Sequence, residues 1–339
     1  MNEFAVSVIM PIYNAEKYLR KSLGCIVNQS LKNIEILCIN DGSKDNSLEI
    51  IKEFQKNDCR VKLIDQPNGG YGVAMNQGLQ AAHGKYIGIL EPDDFAELDM
   101  FEHLYNVAEK YDCDVVKSNY YEYQQSKDQN TFFEVLNGLP YNQITSAYEN
   151  EKIIHMRPCI WSGIYRRKML IDNFIVFNET PGASYQDTAF AFKVWVTAQK
   201  VIFIKEAFLH YRIDNENSSV NSSGKIFSIC DEFQAMQAFL NTDVHKRNKF
   251  SKILQVLKLD SYVWNLGRIA DKYKTIFRDQ MALEFMKAEY EGFLDKEYFD
   301  ENRWNQLQRY IKAYNTSHIQ DTNGRILIKN ILKWLKQKL

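Results

Sequence analysis

Within the first ninety residues the chain alternates four times between a short apolar run and a segment of helical spacing. Val6–Ile12, Ile34–Ile39, Val61–Ile64 and Tyr86–Leu90 are nearly continuous apolar stretches, as strands buried on both faces require. Between them, 15–27 repeats its apolar residues at three and four through Tyr18, Leu19, Leu23 and Ile26. A second helix carries Leu48, Ile51 and Phe54 behind an Asn46 or Ser47 cap, and Val73–Ala82 makes a third. Strand–helix units in sequence build a parallel sheet covered on both faces. An α/β fold is therefore expected. Asp114–Tyr123 reads as a further strand, Phe132–Gln143 as loop or short strands, and Ile160–Leu170 is ambiguous.

The rest of the 339-residue chain differs in kind. Up to Gly224 it holds 22 basic and 29 acidic residues; beyond, 20 and 14. All six prolines lie at or before Pro181, and apolar residues from Ile226 onward recur at three and four with few breakers. About four helices are expected there, and the polar stretch 215–224 is the natural joint, giving domains at 1–222 and 223–339. With 45% apolar and 25% charged residues, disordered and coiled-coil readings fall away. No run of 18 apolar residues exists, so no membrane span is expected. The opening 1–14 leans acidic and runs straight into a strand, unlike a secretory leader. Six cysteines without CxxC spacing point to reduced thiols and a cytoplasmic setting.

A parallel sheet at the start of a chain invites a dinucleotide site, but Pro11–Glu16 holds no glycine where GxGxxG belongs. GxxxxGK[ST] is absent too. The strand ends are acidic instead: Tyr13-Asn14, Asn40-Asp41, Asp65 to Asn68, and Glu91-Pro-Asp-Asp94. Ligands of open α/β sheets bind outside these carboxyl ends. Helix capping accounts for a single such residue, but three carboxylates within four residues repel one another unless a cation joins them. A hard divalent ion shared with substrate phosphates suits them.

Val8-Ile-Met-Pro-Ile-Tyr-Asn14, Asn40-Asp-Gly-Ser-Lys-Asp45, Asn68-Gly-Gly-Tyr-Gly72 and Glu91-Pro-Asp-Asp94, in this order, resemble the family-2 glycosyltransferases of the GT-A fold. Trp161-Ser-Gly-Ile-Tyr-Arg-Arg167, Tyr185-Gln-Asp-Thr188 and Tyr211–Ser218 agree, so the likeness covers about 5–220. It implies an inverting transfer from a UDP-sugar to a hydroxyl of a glycan or lipid-linked glycan, of the bacterial surface-polysaccharide or capsule type. Pro11, Tyr13, Asn14 and Asp41 would hold uracil and ribose, with Tyr13 stacked on the base. Asn68 and Gly69 would lie along the donor sugar. Asp93 and Asp94, with Glu91, would meet the ribose and a Mg2+ or Mn2+ ion, and Asp187 would be the base. Asn40, Glu91-Pro92 and Gln186 depart from the usual aspartate, Asp-Ser and glutamate.

His210, Arg212 and Trp161 are candidates for phosphate or acceptor contacts. No nucleic-acid partner is expected. Residues 325–339 carry five basic and eight large apolar residues on separate helical faces, which suits either a closing helix or peripheral contact with an anionic membrane. A nucleotide-sugar hydrolase or phosphoryl transferase, or a non-catalytic partner in polysaccharide assembly, would share the same motifs.

Overall fold

The computed structural model describes residues 4–215 and 226–318. They form two compact units. One holds the described residues through 215 together with Cys230–Phe239; the other holds 226–229 and 240–318. The first unit opens with β1 (Phe4–Ile12), α1 (Glu16–Val27), β2 (Ile34–Asp41), α2 (Ser47–Asn57), β3 (Val61–Gln66), α3 (Tyr71–Ala81) and β4 (Gly84–Ile89). β5 (Phe95–Ala96), α4 (Met100–Tyr111), β6 (Val115–Gln124), β7 (Gln129–Phe133) and β8 (Ile144–Thr145) follow. Next come β9 (Gly163–Arg166), α5 (Arg167–Asp172), α6 (Gln186–Trp195) and β10 (Val201–Arg212).

One sheet takes all ten strands in the order β3-β2-β1-β4-β9-β6-β10-β5, with β7 on β6 and β8 on β10. β3, β2, β1 and β4 are parallel, and β9 runs antiparallel between β4 and β6. Every residue of β2 is buried, and all of β1 after Phe4, as the unbroken apolar runs demand. β3 at the edge alternates toward solvent. The ambiguous 160–170 stretch resolves into the short strand β9 followed by α5, two elements too brief to show a period. Strand order reverses at β1, which has β2 on one side and β4 on the other. The loops after β1 and β4 thus open at a topological switch point.

The helix starts differ from expectation in one respect. Asn46 takes the N-cap position of α2 but makes no side-chain cap bond; Asp45 Oδ1 accepts from the Ser47 amide at 3.0 Å. Ser47 Oγ and Asp45 Oδ2 turn instead to the amides of Ala15 and Glu16, both at 2.9 Å, while Asn46 donates to Glu16. The two loops cap each other's helices, which fixes the end of β1 beside the end of β2.

The second unit consists of α8 (Val244–Arg268), α9 (Asp271–Tyr290) and α10 (Glu301–His318) after α7 (Ser228–Asn241), whose middle packs in the first unit. Tyr262 is fully buried between Phe277 and Phe285, and Lys258 meets Glu284 at 2.5 Å. Residues 325–339 lie outside the described residues. No described helix is long and apolar enough to cross a membrane.

In the first unit, α3 is set against the segment preceding α6 with almost no clearance. A Cβ on Gly72 would stand 2.0 Å from the Asn178 carbonyl oxygen, and Gly70 takes φ +92° as the Tyr71 amide donates to the Gly182 carbonyl at 3.1 Å. Gly72→Ala is expected to cost about 1–3 kcal/mol, seen as a lower denaturant midpoint at unchanged slope. A midpoint equal to wild type would show that this contact yields.

Candidate active site

At the open end of β1, Tyr13 is 48% exposed, and an exposed aromatic there suits a planar ligand. Pro11 is buried inside β1 opposite Ile39, so it shapes the strand end from below. Asn14 adopts φ +50° and accepts the Lys44 amide at 2.7 Å, which locks the turn beneath Tyr13. The last residue of β2, Asp41, is buried. Its carboxylate accepts from the amides of Gly69 at 2.8 Å and Gly70 at 2.9 Å and from Gln66 Nε2 at 2.9 Å. Three donors leave one lone-pair direction of the roughly four a carboxylate offers. Asp41 therefore shapes the glycine loop first, and Asn68 adds to it by donating to the Asp41 carbonyl at 2.9 Å. Asn40 donates to Asp65 Oδ1 at 2.7 Å, which explains the amide at that position: an aspartate would meet Asp65 as a like charge.

The turn after β4 gathers the acidic residues. Ser22 of α1 donates to the carbonyls of Pro92 and Asp94 and so clamps the turn. Glu91 accepts the Tyr71 hydroxyl at 2.7 Å, and Asp93 Oδ2 accepts Asn215 Nδ2 at 2.7 Å. Asp94 is buried, with Oδ1 held by the Arg212 amide at 2.9 Å and Oδ2 without a partner. Burial pushes Glu91 up to about 8 against the Tyr71 hydrogen bond, with Asp93 and Asp187 adding repulsion. Burial and then Asp93 raise Asp94 well above the carboxylate range.

The expected ligand set of Glu91, Asp93 and Asp94 is not assembled: among the described residues no three acidic, His or Cys groups gather to hold a metal. Glu91 is turned to Tyr71 and Asp93 to Asn215. The buried, unpartnered Asp94 Oδ2 nevertheless fits a hard divalent ion, since a cation there would remove the cost of an uncompensated carboxylate. Such an ion takes most of its remaining oxygens from a diphosphate and water.

Asp187 lies in the first turn of α6 and not at its N-cap position, which Tyr185 takes in the left-handed region. Burial lifts its carboxyl to about 6 despite the Thr188 hydrogen bonds and the charge of Arg157. That value suits a general base near neutrality. Both Glu91 and Asp187 act electrostatically on the Tyr71 hydroxyl, so the start of α6 and the turn after β4 both lie near it. Gln186, buried at 2% exposure, pins the approach. Its Nε2 donates to Thr180 Oγ1 at 2.8 Å and to the carbonyls of Gly182 at 3.1 Å and Thr180 at 3.3 Å, while Oε1 accepts the Ser184 amide at 2.6 Å. Only an amide can make both kinds of bond, which accounts for glutamine in place of glutamate.

Set against known proteins, the description "Glycosyl transferase family 2" matches residues 7–174. Glycosyltransferase GlyG of Streptococcus pneumoniae serotype 4 is 34% identical over 214 residues, 61% of this chain and 70% of GlyG. This chain belongs to glycosyltransferase family 2. Glycosyltransferase GlyA of the same organism is 34% identical over 216 residues, and EpsJ of Bacillus subtilis, an uncharacterized glycosyltransferase, 33% over 219. The matches span 30% of GlyA and 62% of EpsJ, less than two thirds of either. In fold, the chain is similar to S. aureus TarS 1–349 solved with UDP-GlcNAc, with TM-score 0.69 and 20% identity over 92% of this chain and 90% of that one.

Within this family-2 unit, three expected contacts are placed otherwise. His210 is buried between the rings of Phe95 at 4.3 Å and Tyr121 at 5.0 Å. Its Nδ1 meets Asn130 Oδ1 at 2.6 Å and its Nε2 meets Glu97 at 2.8 Å, so both nitrogens are committed away from phosphate or metal. Arg212 is buried, with Nε on the Asp93 carbonyl at 2.8 Å and the guanidinium over Tyr18 and Tyr123; it braces the acidic turn. Trp161 is buried with Tyr211 stacked on one face at 5.1 Å, so that face is not offered to a ligand.

Tyr71, quoted in its glycine motif but given no role, and Arg157 emerge only from the fold. A tyrosine at the first helical position was a usable signal; nothing around Arg157 in sequence was. Gln186→Glu should destabilise the unit by about 2 kcal/mol or more by leaving the Thr180 and Gly182 carbonyls unpaired beside a new charge. It should also raise the apparent pKa of Asp187. An unchanged Tm together with an unchanged pH profile would show that the amide is incidental.

Proposed function

We propose that this chain transfers a sugar from a UDP-sugar to a hydroxyl of a glycan or lipid-linked glycan, inverting the anomeric centre, within surface-polysaccharide or capsule synthesis. The observation that carries the reading is a gathering of carboxylates: Glu91 accepts the Tyr71 hydroxyl, Asp187, lifted to about 6, also acts on that hydroxyl, and Glu91 and Asp93 act on the buried Asp94 with its unpartnered oxygen. GlyA and GlyG bear the name glycosyltransferase, and the TarS fragment bound UDP-GlcNAc, which together support a nucleotide-sugar donor.

On this reading Tyr13 stacks on uracil and the remaining acceptor direction of Asp41 takes the uracil N–H, with Pro11 and Asn14 shaping that turn. Asn68 and Gly69 run along the donor sugar, and Asp93 meets the ribose. Asp94, with Asp93 at its side, would hold Mg2+ or Mn2+. A bound ion there offsets charge on the departing diphosphate. Asp187 accepts the proton of the acceptor hydroxyl as its oxygen bonds the anomeric carbon and the bond to the UDP oxygen breaks. One displacement with one base inverts. The donor unit is assigned to 1–222 and a helical domain to 223–339, with the protein working in the cytoplasm. Contact of 325–339 with the inner membrane face belongs to the same proposal.

Asp187→Asn should keep UDP affinity while turnover falls by roughly 100-fold or more. Wild-type turnover should rise with pH through about 6, because the base acts only when ionised. Near-normal turnover in the variant, or release of free sugar equal to UDP with acceptor present, would favour another base or a hydrolase.

Asp94→Ala should remove the dependence of UDP binding on Mn2+, measured by calorimetry with and without the ion. Because the change also removes the acceptor of the buried Arg212 amide, Tm without ligand should fall, and affinities are compared at a temperature where the variant is folded. Mn2+-dependent affinity equal to wild type would move the metal elsewhere.

A further inference from the structure

One cationic group near the base is left unused by the reaction above. Arg157 is exposed, and its Nη1 donates to the Tyr120 hydroxyl at 2.9 Å. Its guanidinium carbon stands 5.8 Å from the ring centroids of both Phe133 and Tyr211. Those rings belong to one patch: Tyr120 stacks on Phe133 at 4.9 Å and meets Trp161 edge-on at 4.7 Å, and Trp161 stacks on Tyr211. Of the five N–H groups of a guanidinium, Tyr120 takes one, and among the described residues no carboxylate forms an ion pair with Arg157. A fork held by aromatic faces with most of its donors open is poised for an anion.

Its place in the fold says which substrate it meets. Tyr211 directly precedes Arg212, whose amide holds Asp94. Asp94 and Asp93 raise the Tyr211 hydroxyl while Arg157 opposes them, and Arg157 also acts on Asp187. Arg157 thus neighbours Tyr211 and acts on both the Tyr211 hydroxyl and Asp187, the proposed base.

We propose that Arg157, with the Tyr120 hydroxyl and the rings of Phe133 and Tyr211, forms an acceptor subsite for a sugar or polyol bearing a phosphate or carboxylate. The assignment rests on the transferase reading and narrows it to anionic acceptors. The rings take the apolar face of the sugar, and the guanidinium takes the anion.

The test is direct binding to protein saturated with UDP and Mn2+, so that donor-site phosphate contacts are already filled. Three probes share one ring: methyl glucoside, its 6-phosphate, and methyl glucuronide. Wild type should bind at least one anionic probe 10-fold or more tighter than the neutral one, and which anion wins separates phosphate from carboxylate. Arg157→Gln should erase that preference while UDP affinity stays within twofold, and Arg157→Lys should keep part of it, since a point charge remains without the fork. Equal binding of all three probes by wild type would overturn the proposal. So would a loss of UDP affinity in Arg157→Gln, which would place the residue on the donor side. Failure of UDP to bind wild type at all would instead sink the transferase reading, which the Asp187→Asn kinetics test separately.

Discussion

The backbone amide of Arg212 donates to the buried carboxylate of Asp94, and the acidic end of the sheet hangs on that bond. It joins the turn after β4 to the last residue of β10, 118 positions later. A carboxylate taken out of water is costly unless its lone pairs are used. Here one oxygen is used and the other is left over. Around this bond the Arg212 side chain braces the Asp93 carbonyl, Ser22 clamps the turn from α1, and Asn215 holds the Asp93 carboxylate. A structure built only for stability would not keep Asp94 in this state. On the proposed reading, a cation bound at the remaining oxygen would offset that cost.

Asp187, the proposed base, is positioned by a second set of contacts. The segment from Asn178 to Tyr185 is wedged against α3 at Gly70 and Gly72 and sewn to α6 by Gln186. From the opposite side, the fully buried Glu232 of α7 accepts Asn178 Nδ2 at 2.8 Å, while Lys193 of α6 donates to the Val176 carbonyl at 2.9 Å. Burial holds Glu232 up at about 8. Asp187 therefore sits at the end of a rigid support, which preserves its distance from the acidic turn.

Tyr71 links the two sets. As the first residue of α3 it is fixed by the glycine loop that Asp41 holds, and its hydroxyl reaches Glu91. A change at the Asp41 end of the pocket is thereby felt at the carboxylates. The three expected phosphate or acceptor contacts, His210, Arg212 and Trp161, prove to be the packing behind this arrangement. Arg157 and Tyr211 are what the packing presents.

The sequence by itself determined the parallel half of the fold, because strands buried on both faces must be written as apolar runs and their helices as three-and-four repeats. It also determined which strand ends carry acid, since those motifs are contiguous: Asn40-Asp41, Asp65 to Asn68, Glu91 to Asp94. Local order cannot state which of these carboxylates keeps an oxygen free. That Asp94 is half-satisfied, that Glu91 answers to Tyr71, and that His210 is spent on Glu97 and Asn130 are decided by partners 20 to 118 positions away. The short β9 and the placement of Arg157 against Tyr211 belong to the same class. Elements of a few residues carry no period, and a charge gains its meaning from the surface it lies on, which only the closed sheet provides.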